Sequence, residues 1–153
     1  MISLLIHWEI LAIPALVLII SQVTKVGLQS LHSSWNWKDF NAYGGMPSSH
    51  TALFVSITTV VGLTQGFGSP LFIVSGFIAI AFIRDAVGIR WSLGYHGKVL
   101  NHLVETLPAE VRSTFPAKLQ ERLGHTPVEA LVGFLMGALL TTVFHFALLA
   151  LAA

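Results

Sequence analysis

The chain has 153 residues and a mass of 16.6 kDa, so one hydrophobic environment and one site suffice. Only 10% of its residues are charged, against about 25% in ordinary soluble domains, while 54% are hydrophobic and the mean hydropathy is +0.77. A soluble chain this short cannot bury so much apolar surface, and the lack of cysteine excludes disulfide scaffolds, thiolate metal sites and cysteine nucleophiles.

The first apolar stretch runs from Met1 to Thr24, interrupted by His7 and Glu9. It is long enough for the roughly 20 residues of a spanning helix. No basic segment precedes it and no small-residue cleavage site follows, so it reads as a retained span rather than a signal peptide. Two shorter apolar runs follow, Thr51 to Leu63 and Leu71 to Ile83, divided by the turn residues 64–70. Each reaches across a bilayer only if polar flanks such as His50, Arg84 and Asp85 lie at membrane depth. They are expected to form two helices, a re-entrant hairpin being the alternative. Residues 91–124 make the one polar block, in which Val99, Leu100, Leu103, Val104 and Leu107 recur at helical spacing, as in a helix lying in the headgroup plane. In the last stretch, Val128 to Ala153, only His145 breaks the apolar character. Thr126, Pro127 and Glu129 ahead of it form a capping-box signature.

The expected fold is therefore an all-α integral membrane protein of about four transmembrane helices, with residues 92–124 as an interfacial helical insert before the last one. Residues 1–153 make a single membrane-embedded domain. Lys25 and Lys38 lie between the first two apolar segments; Arg84, Arg90, Lys98, Arg112, Lys118 and Arg122 lie between the third and fourth. With four crossings every basic residue falls on one side, which the positive-inside rule makes cytoplasmic.

The densest polar signal is Gly44-Gly45-Met46-Pro47-Ser48-Ser49-His50, directly before an apolar helix. Paired glycines permit close backbone approach, proline suits a helix start, and first-turn N–H groups have no intrahelical partner, which makes an anion site. The plainer reading is an N-cap with a histidine near the headgroups. Arg84 and Asp85 with Arg90 form the second signal: a snorkelling anchor with Arg84 and Asp85 partly neutralising one another, or a phosphate clamp built on the planar fork of Arg90. The third is Gly124-His125-Thr126-Pro127-Val128-Glu129, where Glu129 serves as the cap carboxylate and lies four residues from His125, whose ring it is placed to orient. Lys25, singly, is an interfacial anchor. Taken together, these residues come from four segments that the topology brings to one membrane face. Two histidines, two cations and helix N-termini are the ingredients of phosphoryl transfer.

These three motifs in order, from about Gln22 to Gly137, resemble the divergent branch of the type 2 phosphatidic acid phosphatases, related to acid phosphatases and vanadium-dependent haloperoxidases. The resemblance implies a metal-independent phosphatase working through a phosphohistidine. It casts Lys25 as the phosphate-binding lysine, although the arginine that usually stands seven residues on is His32 here. Pro47-Ser48-Ser49-His50 is similar to a Pro-Ser-Gly-His motif, which makes His50 the general acid. The Arg-x5-His-x3-Asp motif matches in halves: Arg90 to His96 gives its first part, and His125 to Glu129 its second. A split motif makes His125 the nucleophile oriented by Glu129, with His96 as the alternative nucleophile.

The function implied is hydrolysis of a lipid phosphate monoester or an isoprenoid diphosphate at the cytoplasmic face. Lys25, Ser48, Ser49, Arg90 and Asp85 would form the phosphate site, with no cofactor and no metal. The partners expected are membrane lipids and the lipid substrate, not nucleic acid. The alternatives are a non-catalytic anionic-lipid-binding or transport-related protein, suggested by Glu9, Arg84 and Asp85 at membrane depth, and a metal hydrolase using His125, Glu129 and Asp85. Gly133 and Gly137, spaced Gly-x3-Gly, permit close helix contact within one chain or in a homo-oligomer.

Overall fold

The computed structural model describes residues 2–31, 44–115 and 118–152, with side chains from Trp8 onward. His7, His32 and Lys38 lie outside the described side chains. Every regular element among the described residues is helical: α1 (Ile2–Ser30), α2 (Ser49–Gln65), α3 (Pro70–Val87), α4 (Ile89–Glu105), the single turn α5 (Ala109–Arg112) and α6 (Pro127–Ala152).

Helix starts are determined locally. Ser69 caps α3 by accepting the Phe72 N–H, and Pro70 takes the first helical position. The capping box of α6 forms as read: the Glu129 N–H donates to Thr126 Oγ1 at 3.2 Å and the Thr126 N–H to Glu129 Oε2 at 3.1 Å. The start of α2 differs from expectation. Ser48 is its cap, its Oγ accepting the Thr51 N–H, so Pro47 precedes the helix instead of opening it. A serine whose hydroxyl reaches the N–H three residues on satisfies a first-turn donor that proline in the helix would leave untouched.

The helix α2 is the centre of the bundle, packed by α1, α3 and α6, and α6 also packs on α1. Contact between α2 and α6 depends on the two glycines. A Cβ at Gly133 would collide with the Ser48 carbonyl, and one at Gly137 would lie 2.5 Å from the Ala52 carbonyl oxygen. Gly-x3-Gly therefore serves contact within the chain. Deeper in the bundle the hydroxyls of Ser56 and Thr141 are 2.6 Å apart, and Glu9 Oε2 lies 2.9 Å from His145 Nδ1, joining α1 to α6. Lipid offers these groups no partner, so they pair internally. The apolar core is small, Ile13, Val17, Ala52 and Val60. Large side chains such as Leu71, Ile73, Phe77 and Ile80 on α3 face outward, as lipid solvation allows.

Among the described residues three helical stretches are long and apolar enough to cross a membrane: Trp8–Ser30 of α1, Pro70–Glu105, which runs through α3 and past the break at Gly88 into α4, and Pro127–Ala152, which is α6. At 17 residues α2 is about 26 Å long, short of the roughly 30 Å hydrocarbon core. Of the four crossings expected, three stretches qualify by length and composition, and the shorter α2 is packed among α1, α3 and α6.

The polar block is not a helix standing alone. Gly88, whose N–H bonds the Arg84 carbonyl at 2.9 Å, is the break between α3 and α4. Gly94, Gly97 and Asn101 line the buried face of α4, and the chain beyond α5 folds back onto it. Asn101 Nδ2 donates to the Leu119 carbonyl at 2.8 Å and Asn101 Oδ1 accepts the Leu119 N–H at 2.9 Å. Cβ atoms at Gly94 and Gly97 would meet the Glu121 and Gln120 carbonyl oxygens at 2.7 and 2.6 Å. The exposed side of α4 carries Ile89, Leu93, Leu100 and Leu103, in keeping with an interfacial helix.

Candidate functional site

Four stretches meet at one end of the bundle: the last turns of α1, the loop before α2, the α3–α4 junction and residues 124–129. His125 is anchored by its backbone, whose N–H donates to the Ala86 carbonyl at 2.9 Å. Gly124 makes this possible. Its φ is +80°, and a Cβ there would lie 2.5 Å from the Trp91 nitrogen. Gly45, also at positive φ, lies against Lys25 and Gln29; a Cβ would stand 3.3 Å from Lys25 Cε.

The His125 ring is buried, with Nδ1 3.2 Å from Glu129 Oε2. Burial pushes its pKa below the ordinary histidine value; the Glu129 carboxylate and a hydrogen bond to the Gly45 backbone oppose this, and the Lys25 charge adds to it. The neutral imidazole is thereby favoured. Lys25 is only 6% exposed, and its charge reaches Glu129, His50 and His125. His50, in the first turn of α2, feels His125, Arg90 and Lys25 together. The two histidines and two cations of the sequence reading are therefore within electrostatic range of one another.

Other expected residues take different roles. Asp85 pairs with Arg90, whose Nε donates to Oδ2 at 2.6 Å, and not with the adjacent Arg84. That bond uses Nε and not the two terminal nitrogens of the fork. Ser48 has no exposed surface, and its N–H donates to the Glu129 carbonyl at 3.1 Å. Its amide holds α2 to α6 and does not face an anion, so the first-turn donors are Ser49 and His50. Ser49 Oγ donates to Gln22 Oε1 at 2.6 Å. His96 is exposed on α4, two residues from the buried Gly94 and so about 200° round the helix from it. The structure brings Glu129 to His125; His96 faces away from the buried side of α4.

Sequence reasoning missed Gln22, Asn101 and the Glu9–His145 pair. Gln22 and Glu9 were detectable as polar interruptions of an apolar span; Asn101 gave no signal above its neighbours. Among the described residues no group of three or more His, Asp and Glu side chains stands together as a metal site, so His125, Glu129 and Asp85 do not assemble as a donor set. A cleft of about 850 Å³ opens beside Glu129, lined by Gly45, Trp91, Tyr95, Lys98 and Arg122 among others.

Fold and site together define a helical membrane protein with a basic, histidine-bearing centre at one end of its bundle. Residues 6–140 match the Divergent PAP2 family, and the chain belongs to that family. It is 36% identical over 140 residues to a Bacillus subtilis (strain 168) protein named "Uncharacterized membrane protein YuiD", covering 84% of this chain and 89% of that one. No solved structure matches.

Proposed function

We propose that the protein is a metal-independent phosphatase of lipid phosphates, working from the cytoplasmic face through a phosphohistidine at His125. The observation that carries this reading is the His125–Glu129 pair at the meeting point of His50, Arg90 and Lys25. Glu129 at Nδ1 assigns attack to the opposite ring nitrogen, Nε2, where an entering phosphoryl group competes with the Gly45 backbone for the ring. Arg90 and Lys25, with the first-turn N–H groups of Ser49 and His50, stabilise its equatorial oxygens.

In the first step an Nε2–P bond forms, the P–O bond to the lipid breaks, and His50 gives its proton to the leaving alkoxide. The phosphate dianion offsets the positive charge around His50, which keeps that proton available until transfer. In the second step His50 takes a proton from water, the water oxygen attacks phosphorus, the N–P bond breaks and orthophosphate leaves. The sidedness rests on the distribution of Lys and Arg.

The test is phosphate release by detergent-purified protein from a panel of lipid phosphates, with and without chelator, alongside His50→Ala, His96→Ala and His125→Ala. Chelator-resistant release that drops by on the order of 10³-fold or more in the His125 and His50 variants, with His96→Ala active, supports the reading. Release that survives His125→Ala overturns it, and no release from any lipid leaves the non-catalytic alternative.

A further inference from the structure

Among the described residues one buried side-chain polar atom has no hydrogen-bond partner, Oε1 of Gln29. Native proteins rarely leave a buried carbonyl oxygen so, and where they do the orphan marks a strained, catalytic or solvent-served position. Gln29 lies one turn beyond Lys25 on α1, and its side chain borders the cleft beside Glu129. A Cβ on Gly45 would stand 3.0 Å from Gln29 Nε2 and 3.3 Å from Lys25 Cε. The backbone of the same Gly45 is hydrogen-bonded to the His125 ring. The Gln29 amide is therefore separated by one residue from the ring that takes the phosphoryl group. No bond holds Oε1 in place, so a half-turn about χ3, a broad and roughly two-fold torsion, breaks nothing at that atom and brings the carbonyl to the Gly45 side.

Hydrolysis of a phosphohistidine requires such a group. An attacking water directs a lone pair at phosphorus when both of its O–H groups have acceptors, and His50 takes one of them. The groups that face the phosphoryl oxygens, namely Lys25, Arg90 and the first-turn N–H groups, only donate. Glu129 Oε2 is held by His125 and the Thr126 N–H, and Asp85 Oδ2 by Arg90. A neutral amide carbonyl accepts from water without the repulsion that a further carboxylate exerts on phosphate. We propose that Gln29 Oε1 orients the water that hydrolyses the phosphohistidine. The bond between the water oxygen and phosphorus forms, and the Nε2–P bond breaks with its electron pair returning to the ring. One water proton passes to His50, and the other leaves on orthophosphate.

This rests on the phosphatase reading, and rapid-quench kinetics on the detergent-purified protein tell the two failures apart. Radiolabelled phosphatidic acid, an isoprenoid monophosphate and an isoprenoid diphosphate are each mixed with wild type, Gln29→Met and Gln29→Glu, then quenched in alkali, in which phosphohistidine survives. Methionine matches glutamine in length and lacks the acceptor. In Gln29→Met the hydrolysis rate constant should fall about 10²-fold, the scale of a misplaced reacting group. Both kcat and KM fall with it at unchanged kcat/KM, because the first step uses no water. The phosphoenzyme accumulates as a burst and decays slowly when chased with unlabelled lipid. In Gln29→Glu, which keeps an acceptor, it decays at close to the wild-type rate, while the added charge lowers kcat/KM. Removing an unpaired acceptor costs no stability, so Gln29→Met melts at or above the wild-type temperature. A kcat/KM that falls as far as kcat, or a Gln29→Met phosphoenzyme that decays as fast as the wild type's, overturns the role of Gln29 and leaves the phosphatase reading intact. A wild type that forms no phosphoenzyme and releases no phosphate overturns both.

Discussion

Nδ1 of His125 and Oε2 of Glu129 stand 3.2 Å apart, and the same oxygen accepts the Thr126 N–H at 3.1 Å. The start of the last helix and the orientation of the imidazole therefore depend on a single carboxylate. A capping role and a catalytic role, which compete as readings of the sequence, are one arrangement in the structure.

The pH dependence follows from that arrangement. Burial holds the His125 pKa below 6.5, so its neutral, attacking form persists below that pH and the acid limb of the rate profile lies beneath the ordinary histidine value. Glu129→Gln removes the carboxylate's contributions, which raise this pKa, and leaves only that of the Gly45 backbone on the same side. The acid limb should move to still lower pH while kcat falls by about 10²–10⁴-fold, as when a carboxylate no longer orients a catalytic imidazole. A pH profile of kcat/KM, which reports the free enzyme, decides it; an unmoved limb would show that Glu129 does not act on the ring.

Gly133→Ala and Gly137→Ala place a methyl against backbone atoms of α2, which cannot swing aside as a side chain can. Each should cost about 1–3 kcal/mol. Gly27→Ala, where nothing lies within 4 Å, should be neutral or stabilising. Thermal unfolding in detergent compares the three, and equal melting temperatures would remove the glycines from the α2–α6 contact.

Glu9 and His145 are both buried, and each is the other's partner. Glu9→Leu alone should cost about 1–3 kcal/mol by orphaning a buried polar group, whereas the double variant with His145→Leu should recover most of it. Since each residue lies sixteen positions from the reaction centre, about 24 Å along its helix, phosphate release by the double variant should stay within about twofold of wild type. A double variant as unstable as the single one would refute the pairing argument.

Asn101→Leu leaves the Leu119 N–H and carbonyl without their side-chain partner. The returning segment should lose about 1–3 kcal/mol of local stability. Limited proteolysis should then cut near residues 113–124 faster than in the wild type. An unchanged digestion rate would mean that Gly94 and Gly97 hold the segment unaided.

What the sequence revealed was mostly local. The capping box at Thr126–Glu129 is a pattern within four residues, and it formed. The convergence of Lys25, His50, Arg90 and His125 was legible only because charge asymmetry and span count place their four segments at one end. Pairings across the chain left no comparable trace. Asp85 has Arg84 beside it and still pairs five residues on, because the break at Gly88 turns Arg90 back toward the end of α3. That the Ser48 amide would be taken by the Glu129 carbonyl depends on how closely α2 and α6 approach. Gly133 hinted at such an approach without naming its partner.

Eight of the 17 residues of α2 are buried, against two of the 18 in α3. Lipid thickness acts on a helix through its lipid-facing surface, by tilt or by local deformation of the bilayer. The long helices α1 and α6 absorb that mismatch, while the depth at which α2 starts is set by protein neighbours, Gln22 at Ser49 and Gly133 at Ser48. Thin and thick membranes should therefore present the same reaction centre at the same height relative to the surrounding helices.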